Sequence, residues 1–212
     1  MTNMHSLRGL YAITPGGLAD EHLIERVGAA LRGGTRVVQY RDKQRDVTQQ
    51  TEIARRLCAL CHRHNARLIV NDDLQLALAV DADGVHLGGT DGDLAAARRA
   101  LGPTKLLGAS CYADFELARR AAAAGADYVA FGAVYRSPTK PDAPLAPHAL
   151  FARCRAELDL PSCAIGGITA ANGAALIAAG ADLLAVISDL FEASDVAERA
   201  ADFSRLFAGE TA

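Results

Sequence analysis

Apolar and polar positions along this chain follow two periods in alternation. Short runs of β-branched and aliphatic residues, apolar almost throughout, are each followed by a longer alanine- and leucine-rich stretch with the i, i+3, i+4 spacing of an amphipathic helix. The runs predict strands at Leu10–Thr14, Val37–Arg41, Leu68–Asp72, Gly84–Leu87, Leu106–Ser110, Tyr128–Val134, Ser162–Gly166 and Leu183–Ser188. The stretches between them predict helices at Asp20–Leu31, Val47–His64, Leu74–Val80, Leu94–Ala100, Asp114–Ala124, Pro147–Glu157 and Ala171–Ala179, with a last one at Ala193–Phe207.

The joints repeat as the elements do. RGGTRVVQY, VDADGVHLG, AGADYVAFG and AGADLLAVI each combine a helix end, a Gly or Asp turn and the start of a strand. Tyr128–Val134 and Leu183–Ile187 are apolar on both strand faces, the pattern of a parallel sheet covered by helices. Eight consecutive strand–helix units close most naturally into a (β/α)8 barrel, one domain over residues 1–212. Shared among eight units, the 212 residues leave about 26 each, so long insertions are not expected in a fold that typically takes ~250 residues. An open doubly wound sheet is the structural alternative. It calls for a glycine fingerprint after the first strand, where this chain has only YAITPGG.

Composition narrows the function classes. With 50% hydrophobic residues the chain supports one large core, and a formal net charge of -3 gives no global basic field for nucleic acid or an acidic membrane surface. Any anion site must then be local. The apolar runs are too short and too often interrupted to span a membrane, and MTNMHSLRGL lacks the apolar stretch of a signal peptide, so a cytoplasmic location is expected. The five cysteines fall in predicted helices and strands, as reduced thiols do. Cys58-Ala-Leu-Cys61-His62 has the spacing of covalent haem attachment, with His64 as a further potential ligand. The i, i+3 spacing equally puts both cysteines on one core-facing stripe, the reading that suits a helix in a chain without an export signal.

A parallel barrel gathers the C-terminal ends of its strands on one rim, which makes the residues there candidates for chemistry. Gln39, Arg41 and Lys43 leave the second strand on one side of the chain, and Asn71, Asp72 and Asp73 follow the third. Asp91 follows the fourth beyond Gly88-Gly89, and Ser110 ends the fifth. Ser137-Pro-Thr139-Lys140 follows the sixth, and Gly166-Gly167 and Ser188 follow the seventh and eighth. Singly, Arg41 and Lys43 fit a solvated loop, and Asp72 and Asp91 fit helix caps. Together, carboxylates without a His-rich set suit Mg²⁺, and Arg41, Lys43 and Lys140 surround the same position. Gly166-Gly167 lets the main chain approach an anion, with Thr169 placed to cap the next helix. The rim therefore suits two anionic loads, a diphosphate and a phosphate. No base–nucleophile pair stands out, and His86, flanked by aliphatic residues, reads as a hydrogen-bonded core residue. Such a rim stabilises charge and positions reactants.

QYRDK, LIVNDDLQLALAVDADGVHLGGTD, FGAVYRSPTK, and AIGGI with AGADLLAVIS resemble the thiamine-phosphate synthase family, in the same order and over essentially the whole chain. The resemblance implies a (β/α)8 barrel that joins the diphosphate ester of 4-amino-5-hydroxymethyl-2-methylpyrimidine to a thiazole phosphate, carboxylated or not, and releases pyrophosphate. It implies Asp72 and Asp91 as Mg²⁺ ligands and Arg41, Lys43, Asn71 and Lys140 as the grip on the diphosphate, with Arg41, Lys43 and Lys140 the catalytic cations. It places Gln39 and Ser110 near the pyrimidine, and Ser137, Thr139, Gly167, Ile187 and Ser188 around the thiazole phosphate. Members often have Gln where Gly89 stands and a Pro-Thr pair where this chain has Arg136-Ser137. Serine keeps the hydroxyl, whereas Arg136 either adds charge or points into solvent. The alternatives are a thiazole tautomerase-like paralogue, a non-catalytic thiamine-phosphate sensor and another phosphate-binding barrel enzyme; a homodimer is left open. The four prolines of Arg136–Pro147 give that segment, with Lys140 inside it, the composition of a lid.

Overall fold

The computed structural model of the chain describes residues 7–88, 92–136 and 145–209. Strands and helices alternate as β1 (Gly9–Ile13), α1 (Asp20–Arg32), β2 (Val37–Tyr40), α2 (Val47–Arg63), β3 (Arg67–Asn71), α3 (Leu74–Ala79), β4 (Gly84–Leu87) and α4 (Leu94–Leu101). They continue as β5 (Leu106–Tyr112), α5 (Phe115–Ala123), β6 (Tyr128–Gly132), α6 (Ala149–Leu158), β7 (Ser162–Ile165), α7 (Gly173–Ala178), β8 (Leu183–Val186), α8 (Ser188–Phe191) and α9 (Val196–Ala208). All neighbouring strands pair in parallel, and β1 closes on β8, so the sheet is a barrel in sequence order.

The two faces of each strand feed two cores. Tyr11, Ile13, Val37, Ile69, Leu106, Tyr128, Cys163, Leu183 and Ala185 fill the barrel. Their alternates, among them Val38, Val70, Val85, Leu107, Val129, Ala164 and Leu184, pack against the helices. Because side chains alternate across a strand, burial on both faces demands the continuous apolar runs that the sequence shows. Cys58 and Cys61 are buried on the inner face of α2, and all five cysteines are free thiols. Burial pushes both thiols up, away from the reactive thiolate. Among the described residues no group of three or more His, Cys, Asp or Glu could hold a metal, and no helix is long and apolar enough to cross a membrane.

Most helices begin on an aspartate whose carboxylate accepts from freed amides of the first turn. Asp46 makes a reciprocal capping box with Gln49, while Asp73, Asp93, Asp114 and Asp195 cap α3, α4, α5 and α9. Departures from the sequence expectation cluster at the rim. Six strands end one or two residues early, at Ile13, Tyr40, Asn71, Gly132, Ile165 and Val186, because the backbone leaves the ladder there. At Asp72 it does so with φ +63° and at Gly166 with φ +105°. β5 instead runs to Tyr112 through a register shift against β6. Thr169 does not cap α7. That helix starts at Gly173, and the Asn172 side chain fills the turn before it by accepting from the Thr169 amide at 2.8 Å. The short α8 was not expected, since four residues carry too little periodicity to separate them from the end of a strand.

Candidate active site

The rim is built up strand by strand. Beyond β2, the backbone of Arg41 is pinned by buried Thr14: the Arg41 amide donates to Thr14 Oγ1 at 2.9 Å, and that hydroxyl donates to the Arg41 carbonyl at 3.2 Å. The Asp42 side chain is only 2% exposed and folds back into the loop. It accepts from the Gln44 and Arg45 amides at 2.8 and 3.1 Å and from the Arg45 guanidinium, which also reaches Asp20 at 2.7 Å. This latch holds the loop so that Arg41 and Lys43 remain exposed at the rim.

Burial alone would push the Asp42 carboxyl up. The two amides and the Arg45 guanidinium outweigh it and hold the group below the ordinary aspartate range. A carboxylate whose folded pKa is depressed stabilises the fold above the unfolded pKa and loses that contribution as pH falls through the folded value. Asp42→Asn should therefore lower Tm by several degrees at neutral pH, and its difference from the parent should shrink as pH drops below about 4. Thermal melts across that range check this. A difference that persists unchanged into acid would rule out an ionised latch.

Beyond β3, the Asp72 amide donates to the His86 carbonyl at 2.9 Å, and its carboxylate meets the Lys43 ammonium at 3.6 Å. The helix-cap explanation of Asp72 does not hold, because Asp73 caps α3 and leaves Asp72 at the rim. Asp93 likewise caps α4. Asp91 itself lies outside the described residues. Asn71, Asp72, Lys43 and Asp42 line a cavity of about 220 Å³ together with Tyr40 and Leu76. The Asp72 carboxylate is a hard oxygen ligand without soft or imidazole partners in the lining, and it fits a Mg²⁺ site.

The floor of the mouth is polar in a way the sequence did not disclose. Gln39, 3% exposed, donates from Nε2 to Tyr11 Oη at 2.8 Å. Tyr11 Oη lies 2.8 Å from Tyr128 Oη, which lies 3.0 Å from His86 Nδ1, and His86 Nε2 lies 2.9 Å from Ser110 Oγ. Gln39 and Ser110, read separately as rim residues, are thus the two ends of one buried thread. His86 is hydrogen-bonded inside the barrel, as its aliphatic flanks implied. Tyr11 and Tyr128 were missed because an aromatic residue in an apolar run reads as packing alone.

Across the barrel, Gly166 and Gly167 leave β7 with φ of +105° and +65°. A Cβ at Gly167 would stand 2.9 Å from both the Arg136 carbonyl and Tyr135 Cβ, so the turn passes too close to the preceding loop for any side chain. Asn172 Nδ2 donates to the Gly167 carbonyl at 3.0 Å and fixes the turn. Ile187 and Ser188 follow on β8 and open α8. Neither the Gly167 nor the Ser188 amide donates to a protein acceptor among the described residues, so both are available to an anion. Arg136 is exposed beside this turn. Ser137, Thr139, Lys140 and Gly89 lie outside the described residues, as does most of the proline-rich segment.

Known proteins match this chain nearly from end to end. A family described as thiamine monophosphate synthase matches residues 10–190. A thiamine-phosphate synthase of Aromatoleum aromaticum is 57% identical over 201 residues, covering 95% of this chain and 97% of its own. One from Methylobacillus flagellatus is 56% identical over 206 residues, covering 96% and 98%. The solved structure of a thiamine phosphate pyrophosphorylase from Pyrococcus furiosus superposes with a TM-score of 0.87 at 31% identity, covering 99% of this chain and all of the other. The match runs through both halves of the rim, and the chain belongs to the thiamine monophosphate synthase family.

Proposed function

We propose that this protein is a thiamine-phosphate synthase that transfers the pyrimidinylmethyl group of 4-amino-2-methyl-5-(diphosphooxymethyl)pyrimidine to the ring nitrogen of a thiazole phosphate. The carbon–oxygen bond to the diphosphate breaks and its electron pair leaves with pyrophosphate. The thiazole nitrogen then forms the new bond to the methylene carbon. The observation that carries this reading is the presence of both halves of the site on one rim: Arg41, Lys43, Asn71 and Asp72 beyond β2 and β3, and the Gly166–Gly167 turn with Ser188 beyond β7 and β8. A tautomerase-like paralogue has no need of the first half.

Each residue then has a physical task. Arg41 and Lys43, with Lys140, take up the charge of the departing pyrophosphate, and Asn71 donates to it. Asp72 and Asp91 would hold Mg²⁺, which supplies Lewis-acid neutralisation of the diphosphate when bound. Gln39 and Ser110 fix the pyrimidine ring. The Gly167 and Ser188 amides, with Ser137 and Thr139, hold the thiazole phosphate, and Ile187 packs beside it. The chemistry needs no protein nucleophile, because the pyrimidine amino group stabilises the cation left behind and the protein's part is alignment and charge.

Purified protein given both substrates and Mg²⁺ should form thiamine phosphate and pyrophosphate in equal amounts. Omission of either substrate, or chelation of the metal, should stop release. Pyrophosphate release without the thiazole phosphate, or no product from the complete mixture, would sink the assignment.

A further inference from the structure

The thread Gln39–Tyr11–Tyr128–His86–Ser110 crosses an otherwise apolar barrel, and its protons can be counted. Each tyrosine hydroxyl carries one proton, and an imidazole with one proton donates from one nitrogen and accepts at the other. In one run Gln39 Nε2 donates to Tyr11, Tyr11 to Tyr128, Tyr128 to His86 Nδ1, and His86 Nε2 to Ser110 Oγ. All four gaps then hold one proton each. What remains for the mouth is an acceptor, Gln39 Oε1, and a donor, the Ser110 hydroxyl. The run in the opposite direction also fills every gap, but turns the Gln39 amide and exposes its N–H₂ together with a Ser110 lone pair. Every mixed arrangement leaves one gap with two protons or with none. In this interior that costs an unmet polar group, because Tyr11 and Tyr128 are each 1% exposed and have no partners among the described residues besides these.

The barrel is shaped around the thread. A Cβ at Gly108, the inward position two before Ser110 on β5, would stand 2.2 Å from Tyr128 Cζ, 2.3 Å from its Oη and 2.5 Å from His86 Nδ1. Only glycine leaves room for the Tyr128–His86 bond at this point of β5. The two tyrosine rings meet edge to face at 6.0 Å, and His86 lies tilted against Tyr128 at 5.5 Å, so the donors are held by packing as well as by each other.

We propose that Tyr11, Tyr128 and His86 are positioning residues that tie the hydrogen-bonding state of Gln39 to that of Ser110, so that the mouth always offers one acceptor and one donor together. Gln39 Nε2 faces Tyr11 Oη at 2.8 Å, the end from which the first run starts. Its exposed pair complements a 4-aminopyrimidine, which offers an amino donor and a ring-nitrogen acceptor. The proposal rests on the reading of Gln39 and Ser110 as pyrimidine contacts.

Steady-state kinetics test it, with thermal melts to establish that each variant is folded. Tyr128→Phe removes one oxygen from the thread and should lower kcat/KM for the pyrimidine diphosphate about tenfold while leaving KM for the thiazole phosphate within about twofold. Tyr11→Phe cuts the same thread one bond away and should behave alike. Adding Ser110→Ala to Tyr128→Phe should cost clearly less than Ser110→Ala costs in the parent, since its proton is no longer held in place. Parental kcat/KM in the tyrosine variants, an equal loss for both substrates, or additive costs in the double variant would overturn the proposal. Should Gln39→Ala and Ser110→Ala each leave the pyrimidine kcat/KM unchanged, the subsite reading beneath it fails instead. A measurement without variants is the ¹⁵N spectrum of histidine-labelled protein. The proton is expected on Nε2 of His86, and a proton on Nδ1 in its place would overturn the direction of the run.

Discussion

Asp72→Ala should lower turnover about a hundredfold, on the order of 3 kcal/mol of transition-state stabilisation, and leave the barrel folded. The two halves of that expectation have separate causes. Turnover falls because the carboxylate at the end of β3, with Lys43 at 3.6 Å, is the proposed anchor for Mg²⁺ beside the diphosphate cations. The fold is expected to survive because the Asp72 amide, which donates to the His86 carbonyl at 2.9 Å, is kept in alanine. Its φ of +63° adds a strain of about 1 kcal/mol for alanine. Asp72→Asn separates charge from conformation, since asparagine adopts the left-handed region readily and still lacks the negative charge. Both variants should lose turnover and require more Mg²⁺ for what remains, in pyrophosphate-release assays across a Mg²⁺ titration. Near-normal turnover with parental Mg²⁺ dependence in Asp72→Asn would remove this residue from the metal site.

Gly167→Ala should raise KM for the thiazole phosphate by more than tenfold and change kcat/KM for the pyrimidine diphosphate little. At φ +65° a side chain is disfavoured, and the added Cβ would stand 2.9 Å from the Arg136 carbonyl and from Tyr135 Cβ. The turn must shift to relieve those contacts, and the Gly167 amide shifts with it. A loss of one well-placed donor to a charged phosphate costs about 1.5–3 kcal/mol, which corresponds to roughly ten- to a hundredfold in affinity. Calorimetric titration with the thiazole phosphate alone gives the affinity directly. Unchanged affinity there, with weakened binding of the pyrimidine diphosphate, would mean that the cradle serves the other anion.

These two variants probe opposite sides of one mouth, and the division between them follows from topology. β2 and β3 deliver the cations and carboxylate, whereas β7 and β8 deliver main-chain amides. In the proposed reaction a leaving group that gains charge is met by side chains and a metal, while a phosphate that keeps its charge throughout is met by main chain. The hydrogen-bonded thread beneath them links β2 to β5 through β1, β6 and β4, so the pyrimidine floor is a property of the whole barrel interior.

Much of this was legible from the chain alone. Continuous apolar runs at regular spacing can satisfy a parallel sheet only if helices cover it, and eight of them in order leave few alternatives to closure. Residues at the ends of those runs must then share a rim, which is why Gln39, Arg41, Asn71, Asp72, Ser110, Gly167 and Ser188 could be named together without coordinates. Periodicity and local turn chemistry act over a few residues, and a sequence displays them directly. What lay beyond it were relations between residues far apart in the chain and a few competing local choices. Asp73 outcompetes Asp72 for the α3 cap, and Asn172 replaces Thr169 before α7, because backbone angles decide which side chain reaches a free amide. Tyr11 and Tyr128, 117 positions apart, touch only because the closed barrel brings β1 and β6 face to face across its interior. Elements and rim are set by short-range pattern. The pairing of Lys43 with Asp72 is set by the register of β2 on β3, and the thread from Gln39 to Ser110 by closure of the barrel, neither of which a local pattern encodes.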